Sequence, residues 1–183
     1  MQVDQTAIAG VVRFQPQPHL DERGFFVRTF DADTVRGAGI DPTCFVQDSQ
    51  SRSRRGTLRG LHLRTDGREA KLVRCSRGAI FDVVVDVREG SPSYGSWLAF
   101  TLDDVEHAVL HIPPGCAHGF QVLTEDADVC YRMDAPYASS HDATVSYADP
   151  ALGIPWPVAV TALSQRDSAA PLLAQVSPVR IAR

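Results

Sequence analysis

The sequence lacks an excess of basic residues, which makes it a poor candidate for general nucleic-acid binding. Its 183 residues include 18 Lys and Arg against 22 Asp and Glu, a formal net charge of -4. Proteins that bind nucleic acids generally present a basic surface. Hydrophobic residues make up 44% and charged residues 22% of the chain, a balance that excludes a disordered or low-complexity protein. The length suits one domain with one core, so we expect a single domain over residues 1–183.

Long apolar runs are also missing. No stretch approaches the roughly 18 consecutive apolar residues that a membrane-spanning helix needs. The first residues contain no basic segment followed by an apolar one. We therefore expect no secretory signal and a cytoplasmic location without membrane contact.

Cysteine and nucleophile motifs are equally sparse. The four cysteines, at positions 44, 75, 116 and 130, form no CxxC pair, so the spacing of a structural zinc site is absent. Reduced, buried thiols are the expectation for a cytoplasmic protein. The GxSxG turn that exposes a serine nucleophile is absent as well, which disfavours a serine hydrolase.

What is present is a pattern of short strands. Residues 79–87 read AIFDVVVDV, a β-branched run that is too short for a confident helix. Turn residues separate it from similar runs, and this spacing is typical of a sandwich or barrel. Short helices are predicted at 31–38 and 171–175, and the Pro-rich residues 150–157 should mark where a C-terminal segment packs back. The other predicted strands are 24–30, 44–47, 71–75, 97–102, 107–112, 119–123 and 129–133.

Two histidines lie in glycine-containing motifs, His62 in LRGLH and His118 in IPPGCAHGF. The second motif resembles the second half of a cupin signature, whose first half is HxH followed by Glu. Here Arg64 occupies the position of the second histidine, and a cation cannot ligate a metal. A triad of His62, Glu69 and His118 could still hold iron, so a cupin metalloenzyme is one hypothesis.

The charges around these histidines favour an anion over a divalent cation. Arginine or lysine stands at positions 59, 64, 68 and 71, and further arginines stand at 52, 54 and 55. A solvated loop is the ordinary explanation for the basic stretch 51–56. A phosphate-bearing small molecule fits better than nucleic acid, because arginine binds phosphate bidentately and few contacts suffice.

Seven blocks, in order, are similar to the dTDP-4-dehydrorhamnose 3,5-epimerase family: residues 21–26, 56–62, 71–74, 78–88, 91–95, 112–120 and 152–157. The combination of LRGLH, KLV, DVVVDVR and IPPGCAHGF is specific to it. The resemblance implies an all-β cupin jelly roll with a core at about residues 20–150, a homodimer, and no metal or other cofactor. It also implies epimerisation at C3, C5 or both, beside the C4 ketone of a dTDP-4-keto-6-deoxyhexose.

The resemblance also implies roles for individual residues. His62 matches the base, Asp167 the carboxylate that orients it, Lys71 the cation that stabilises the enolate, and Tyr131 the acid. Such an acid must return a proton on the face opposite the base for a centre to be inverted. Positions that match or face substrate contacts are Arg23, Arg28, Gln47, Ser49, Arg59, His118, Asp142 and Arg166.

Several of the positions around the site depart from the family. Arg28 replaces Glu, Ser49 replaces Asn, Leu63 replaces an aromatic residue, and Arg64 and Glu69 each replace Gln. The catalytic positions are intact, so the departures leave open which sugar is used and how many centres are inverted. A third hypothesis is a non-catalytic sugar-nucleotide binding module, against which the intact catalytic set argues.

Overall fold

Two antiparallel β-sheets face each other. In the computed structural model, which describes residues 1–181, the six-stranded sheet has the order β1 (Gln2–Gln5), β2 (Val12–Gln15), β10 (Val109–Ile112), β7 (Lys71–Arg77), β12 (Asp126–Met133) and β5 (Gln47–Arg54). The five-stranded sheet has the order β13 (Asp142–Thr144), β6 (Leu58–Arg64), β11 (Cys116–Val122), β8 (Ala79–Asp86) and β9 (Trp97–Asp103). This arrangement is a jelly roll, which confirms the predicted fold class.

Little else is regular. Strands β3 (His19–Asp21) and β4 (Gly24–Phe26) form a separate exposed hairpin. Helix α1 (Ala32–Gly37) lies within the predicted helix, and Asp31 caps it by accepting from the Thr34 N–H at 2.9 Å. Helix α2 (Gln165–Ser168) was not predicted, and single 3-10 turns span Ser139–His141 and Leu173–Gln175. Across residues 1–181, no helix has both the length and the apolar character needed to cross a membrane.

The apolar core lies between the sheets. It includes Val73 and Val129 from the six-stranded sheet and Ile80, Val84 and Phe120 from the five-stranded sheet, all buried. A second cluster covers the outer face of the five-stranded sheet, where Leu152 and Ile154 of the C-terminal segment pack. Because both faces of β8 are thus covered, its sequence is almost continuously apolar rather than alternating.

Some predicted boundaries were wrong. The strand expected at 44–47 begins only at Gln47 and continues as β5 through most of the basic stretch. Strand β5 pairs only with β12, at the edge of its sheet, and edge strands tolerate the charged residues that hid it. The sheets also include β1 and β2, so the core begins well before residue 20. The last two positions of the expected domain, 182 and 183, lie outside the described residues.

Glycine allows β6 and β11 to approach closely near His62 and His118. A Cβ on Gly60, whose φ is +138°, would lie 2.5 Å from the Gly119 Cα. The register of the two strands shifts between His118 and Phe120, and His118 lies directly opposite His62. The glycines of LRGLH and AHGF therefore bring the two histidines side by side.

We expect Gly60→Ala to lower the free energy of unfolding by about 2–5 kcal/mol, from backbone strain and overpacking combined. Urea denaturation followed by circular dichroism measures this. Gly37→Ala in helix α1 is the control, because its Cβ would meet nothing within 4 Å beyond its own helix and alanine there should stabilise by at most about 1 kcal/mol. Equal stabilities for the two variants would contradict the close approach.

Candidate active site

A cavity of about 360 Å³ opens between the two sheets beside the apolar core. Residues from β5, β6, β7, β11, β12 and β13 line it, with Arg166 from α2. Its ionisable lining includes four cations, Arg59, Arg64, Lys71 and Arg166, against two carboxylates, Glu69 and Asp142. The excess of positive charge suits an anionic ligand.

The fold brings most of the predicted site residues to this cavity. Eight of the twelve line it: Ser49, Arg59, His62, Lys71, His118, Tyr131, Asp142 and Arg166. Asp167 lies directly behind His62. Gln47 lies beside Tyr137, another lining residue, and its side-chain oxygen accepts from the Tyr137 N–H at 3.2 Å.

His62 and Asp167 form the closest ionisable pair of the site. The His62 Nε2 lies 2.6 Å from Asp167 Oδ1, although the residues are 105 positions apart in the chain. Asp167 is 2% exposed, whereas 38% of the His62 side chain is accessible. Because an ionised carboxylate can only accept, Nε2 carries the hydrogen and Nδ1 keeps a free lone pair. The imidazole is thus held in a tautomer that can take up a proton.

Burial lowers the pKa of His62 below its ordinary value, while the hydrogen bond and charge of Asp167 oppose this shift and Arg166 and Lys71 add to it. The lowered pKa leaves the ring neutral at physiological pH, as a general base must be.

A short helix and strand β13 hold Asp167 in place. Ser164 caps α2 by accepting from the Asp167 N–H at 3.0 Å. The preceding helix residue, Arg166, donates to Thr144 Oγ1 at 2.7 Å and to Asp142 Oδ2 at 3.2 Å. In turn, Thr144 of β13 lies opposite His62 of β6 in the sheet. These contacts orient the C-terminal segment toward the histidine.

Tyr131 and Lys71 belong to the opposite wall. Both lie in the six-stranded sheet, on the paired strands β12 and β7, whereas His62 lies in the five-stranded sheet. Burial strongly raises the pKa of the Tyr131 phenol, against a smaller lowering by Ser51. The phenol therefore keeps its proton at neutral pH and can act as a donor.

His118 forms a second histidine–carboxylate pair, with Asp82. Its Nε2 lies 2.8 Å from Asp82 Oδ2, and both side chains are buried. The ring also packs edge-on against Tyr131, with centroids 6.3 Å apart. The sequence showed Asp82 only as an interruption in an apolar strand. A carboxylate in such a run was the available signal for a buried polar partner.

The alternative metal triad does not assemble. His62 contacts Asp167, His118 contacts Asp82, and Glu69 contacts Lys71 Nζ at 2.9 Å. Within residues 1–181, no group of three or more His, Cys, Asp or Glu side chains is arranged to hold a metal ion. Each histidine of the supposed triad instead contacts a buried aspartate, and Glu69 contacts an ammonium group.

Arg23 and Arg28 do not reach this cavity. Arg23 projects from the β3–β4 hairpin, where it pairs with Asp21 and is 85% exposed. Arg28 lies 3.1 Å from Asp31 and lines a different, smaller cavity beside the N-terminus. Within one chain, neither of these two residues lies at the cavity, and their contacts with substrate stay a prediction.

Only one arginine of the basic stretch and its flank lines the cavity. Arg52 forms an ion pair with Asp128 across the β5–β12 pair, with 2.6 Å between Arg52 Nε and Asp128 Oδ1. Arg59 does line the cavity, and its Nε donates to Ser53 Oγ at 3.0 Å. Of the arginines in residues 51–59, Arg59 is thus the one at the cavity, and its contact with phosphate stays a prediction.

Comparisons with known proteins give one consistent family. The family model for dTDP-4-dehydrorhamnose 3,5-epimerase matches residues 5–175. A dTDP-4-dehydrorhamnose 3,5-epimerase from Salmonella typhimurium is 41% identical over 96% of this chain and 97% of its own.

Solved structures agree as well. A dTDP-6-deoxy-D-glucose-3,5-epimerase from Legionella pneumophila, in complex with dTDP-4-keto-L-rhamnose, has a TM-score of 0.93 at 37% identity, covering 100% of this chain and 98% of its own. A 3'-monoepimerase from Streptomyces bikiniensis, in complex with dTDP-quinovose, has a TM-score of 0.87 at 37% identity, covering 92% of this chain and 86% of its own.

We expect Asp167→Asn to lower the pKa of His62 further, because the change removes the group that raises it. Titration of the ring signals by NMR measures the shift. His111 is an internal control: its Nδ1 contacts the Gly10 carbonyl at 2.8 Å, and its titration should not move. A His62 pKa equal to or above that of the parent would contradict the pairing.

Proposed function

The chain belongs to the dTDP-4-dehydrorhamnose 3,5-epimerase family and is a sugar epimerase, and we propose that His62, Lys71 and Tyr131 carry out its chemistry. Its substrate is a dTDP-linked 4-keto-6-deoxyhexose, used in deoxysugar biosynthesis. Relatives that invert two centres and one that inverts a single centre are both similar to this chain. The inverted carbon is accordingly C3, C5 or both.

In this proposal His62 removes the proton next to the ketone. The Nδ1 lone pair takes the proton from the carbon, and the electron pair of the C–H bond moves into an enolate. Asp167 then lies against an imidazolium, whose positive charge it stabilises. The buried carboxylate, 2.6 Å from the ring, supports this role.

Lys71 stabilises the enolate. The developing charge on the C4 oxygen requires a cation or hydrogen-bond donors in a site shielded from water. The Lys71 side chain is 13% exposed, so its ammonium acts at low screening.

Tyr131 completes inversion by delivering its phenolic proton to the opposite face of the carbon. The resulting phenolate and imidazolium return to their starting states by proton exchange with solvent. The single observation that carries the proposal is the placement of a base and a protonated phenol on opposite sheets across one cavity. A binding module would not need this arrangement.

We further propose that one epimerase domain spans residues 1–183 and works as a cytoplasmic homodimer. The β3–β4 hairpin supports the dimer, because Phe25 and Phe26 are 58% and 68% exposed beside Arg23. Such a hairpin could carry Arg23 to the cavity of a second copy. A monomer in sedimentation-velocity runs at micromolar concentration would overturn this part of the proposal.

We expect His62→Ala to abolish solvent deuterium exchange at every carbon that exchanges in the parent, since loss of a positioned base costs about 10²–10⁴ in rate. The measurement follows deuterium incorporation at C3 and C5 of dTDP-4-keto-6-deoxyglucose by NMR in D₂O. Affinity for dTDP should persist in the variant, which shows that it is folded. Exchange at the parental rate would remove His62 from the mechanism.

We expect Tyr131→Phe to separate proton removal from inversion. The ring and its packing remain, so the enolate should still form and deuterium should still enter the substrate, while inverted product falls steeply. The ratio of exchange to inversion is the readout. If the hydroxyl served only stability, the change would cost about 1 kcal/mol and leave that ratio unchanged.

A further inference from the structure

Three charged side chains, Arg64, Glu69 and Lys71, form a continuous cluster on the cavity wall. Lys71 Nζ lies 2.9 Å from Glu69 Oε1, and Arg64 Nη1 lies 3.8 Å from Glu69 Oε2. The three side chains are 8%, 11% and 13% exposed in the order Arg64, Glu69, Lys71. Each oxygen of one carboxylate therefore faces a different cation with little water between them.

The flanking contacts hold Arg64 in place. Its Nε donates to Asp66 Oδ1 at 3.0 Å, and its Nη1 donates to the Pro136 carbonyl at 2.8 Å. These contacts anchor the guanidinium to two separate segments of the chain. Arg64 therefore cannot close the 3.8 Å gap to Glu69 without giving up other hydrogen bonds.

The backbone beside Glu69 is fixed as well. The Ala70 N–H donates to Asp134 Oδ1 at 2.7 Å, and the Asp134 N–H donates to the Ala70 carbonyl at 3.2 Å. Glu69 and Lys71 flank this anchored residue. Lys71 can therefore move only by rotation of its own side chain, which Glu69 restrains.

Arg64 and Glu69, the two partners of Lys71 in this cluster, stand at positions where the sequence departs from its family. Arg64 adds a positive charge and Glu69 a negative one, and the structure brings the two together. Arg64 also pairs through Nε and Nη2 with both oxygens of Asp66, so Asp66, Arg64, Glu69 and Lys71 alternate in charge and together carry no net charge. Either departure without the other would change the charge of the cavity by one unit.

We propose that Arg64 and Glu69 act together as positioning residues for Lys71. Glu69 fixes the ammonium where the enolate oxygen forms, and Arg64, held by Asp66, faces the second Glu69 oxygen, so the carboxylate is shared between two cations and cancels less of the Lys71 charge. At low local screening, a carboxylate with a single cationic partner would cancel most of that partner's field. This inference rests on the role of Lys71 in the proposed function.

A double-mutant cycle tests the proposal. The variants are Arg64→Gln, Glu69→Gln and the double variant, and the readout is deuterium incorporation at saturating substrate. We expect Arg64→Gln to be slower by about tenfold, and Glu69→Gln and the double variant to stay within about threefold of the parent, because the neutral amide holds Lys71 without cancelling its charge. Affinity for dTDP, measured by calorimetry, should stay within about twofold.

Glu89→Gln is the matched control. Glu89 pairs with Arg180 at 2.8 Å on the surface, away from the cavity, so the same chemical change there should leave exchange unaltered. If Arg64→Gln fails to fold, the comparison of Glu69→Gln with Glu69→Ala carries the test. Alanine lacks an acceptor for Lys71, so we expect it to be slower than glutamine by about tenfold.

The outcomes separate this inference from the proposed function. Lys71→Met at the parental exchange rate would overturn the role of Lys71 and this inference with it. The inference alone would be overturned if Lys71→Met is slow but the rate effects of Arg64→Gln and Glu69→Gln simply multiply in the double variant. If only Glu69→Gln and Glu69→Ala can be measured, equal exchange rates for these two variants would overturn the inference.

Discussion

The close approach of β6 and β11 is the constraint on which the arrangement of the site depends. Side chains at Gly60 and Gly119 would separate the two strands, because a Cβ on Gly60 would lie 2.5 Å from the neighbouring Cα. With the strands in contact, His62 and His118 occupy facing positions in the five-stranded sheet. Two motifs far apart in the sequence thereby form one wall of the cavity.

The opposite wall has a different character, which suits a reaction that needs two unlike proton carriers. Burial lowers the pKa of His62 and keeps its ring neutral, while Asp167 holds the ring at 2.6 Å with Nδ1 free to take a proton. Tyr131 is packed against the core, and its burial keeps the phenol protonated. The different environments of the two sheets therefore support the proposed roles of His62 as base and Tyr131 as acid, since environment sets such opposite roles in paired titratable groups.

The site shares its boundaries with the hydrophobic core. Tyr131 packs against the apolar cluster between the sheets, and the C-terminal segment that covers the five-stranded sheet also delivers Asp167. Substitutions in that segment can thus affect both stability and chemistry. Readouts such as exchange ratios and histidine titration separate these effects better than a rate alone.

The sequence by itself determined the all-β class and most of the central strands, and it named eight of the residues that line the cavity. Apolar β-branched runs and glycine-containing histidine motifs are local signals, readable without knowing what lies nearby. It missed β5, because an edge strand need not be apolar. The family resemblance supplied Asp167 and Tyr131, whose sequence surroundings carry no strong signal of their own.

Only the tertiary structure decided which groups are partners. His62 meets Asp167 across 105 positions, His118 meets Asp82, and Glu69 meets both Arg64 and Lys71. These pairings turned a possible metal triad into three separate polar contacts. They depend on strand order and register, which arise from packing between distant segments and leave no periodic trace in the sequence.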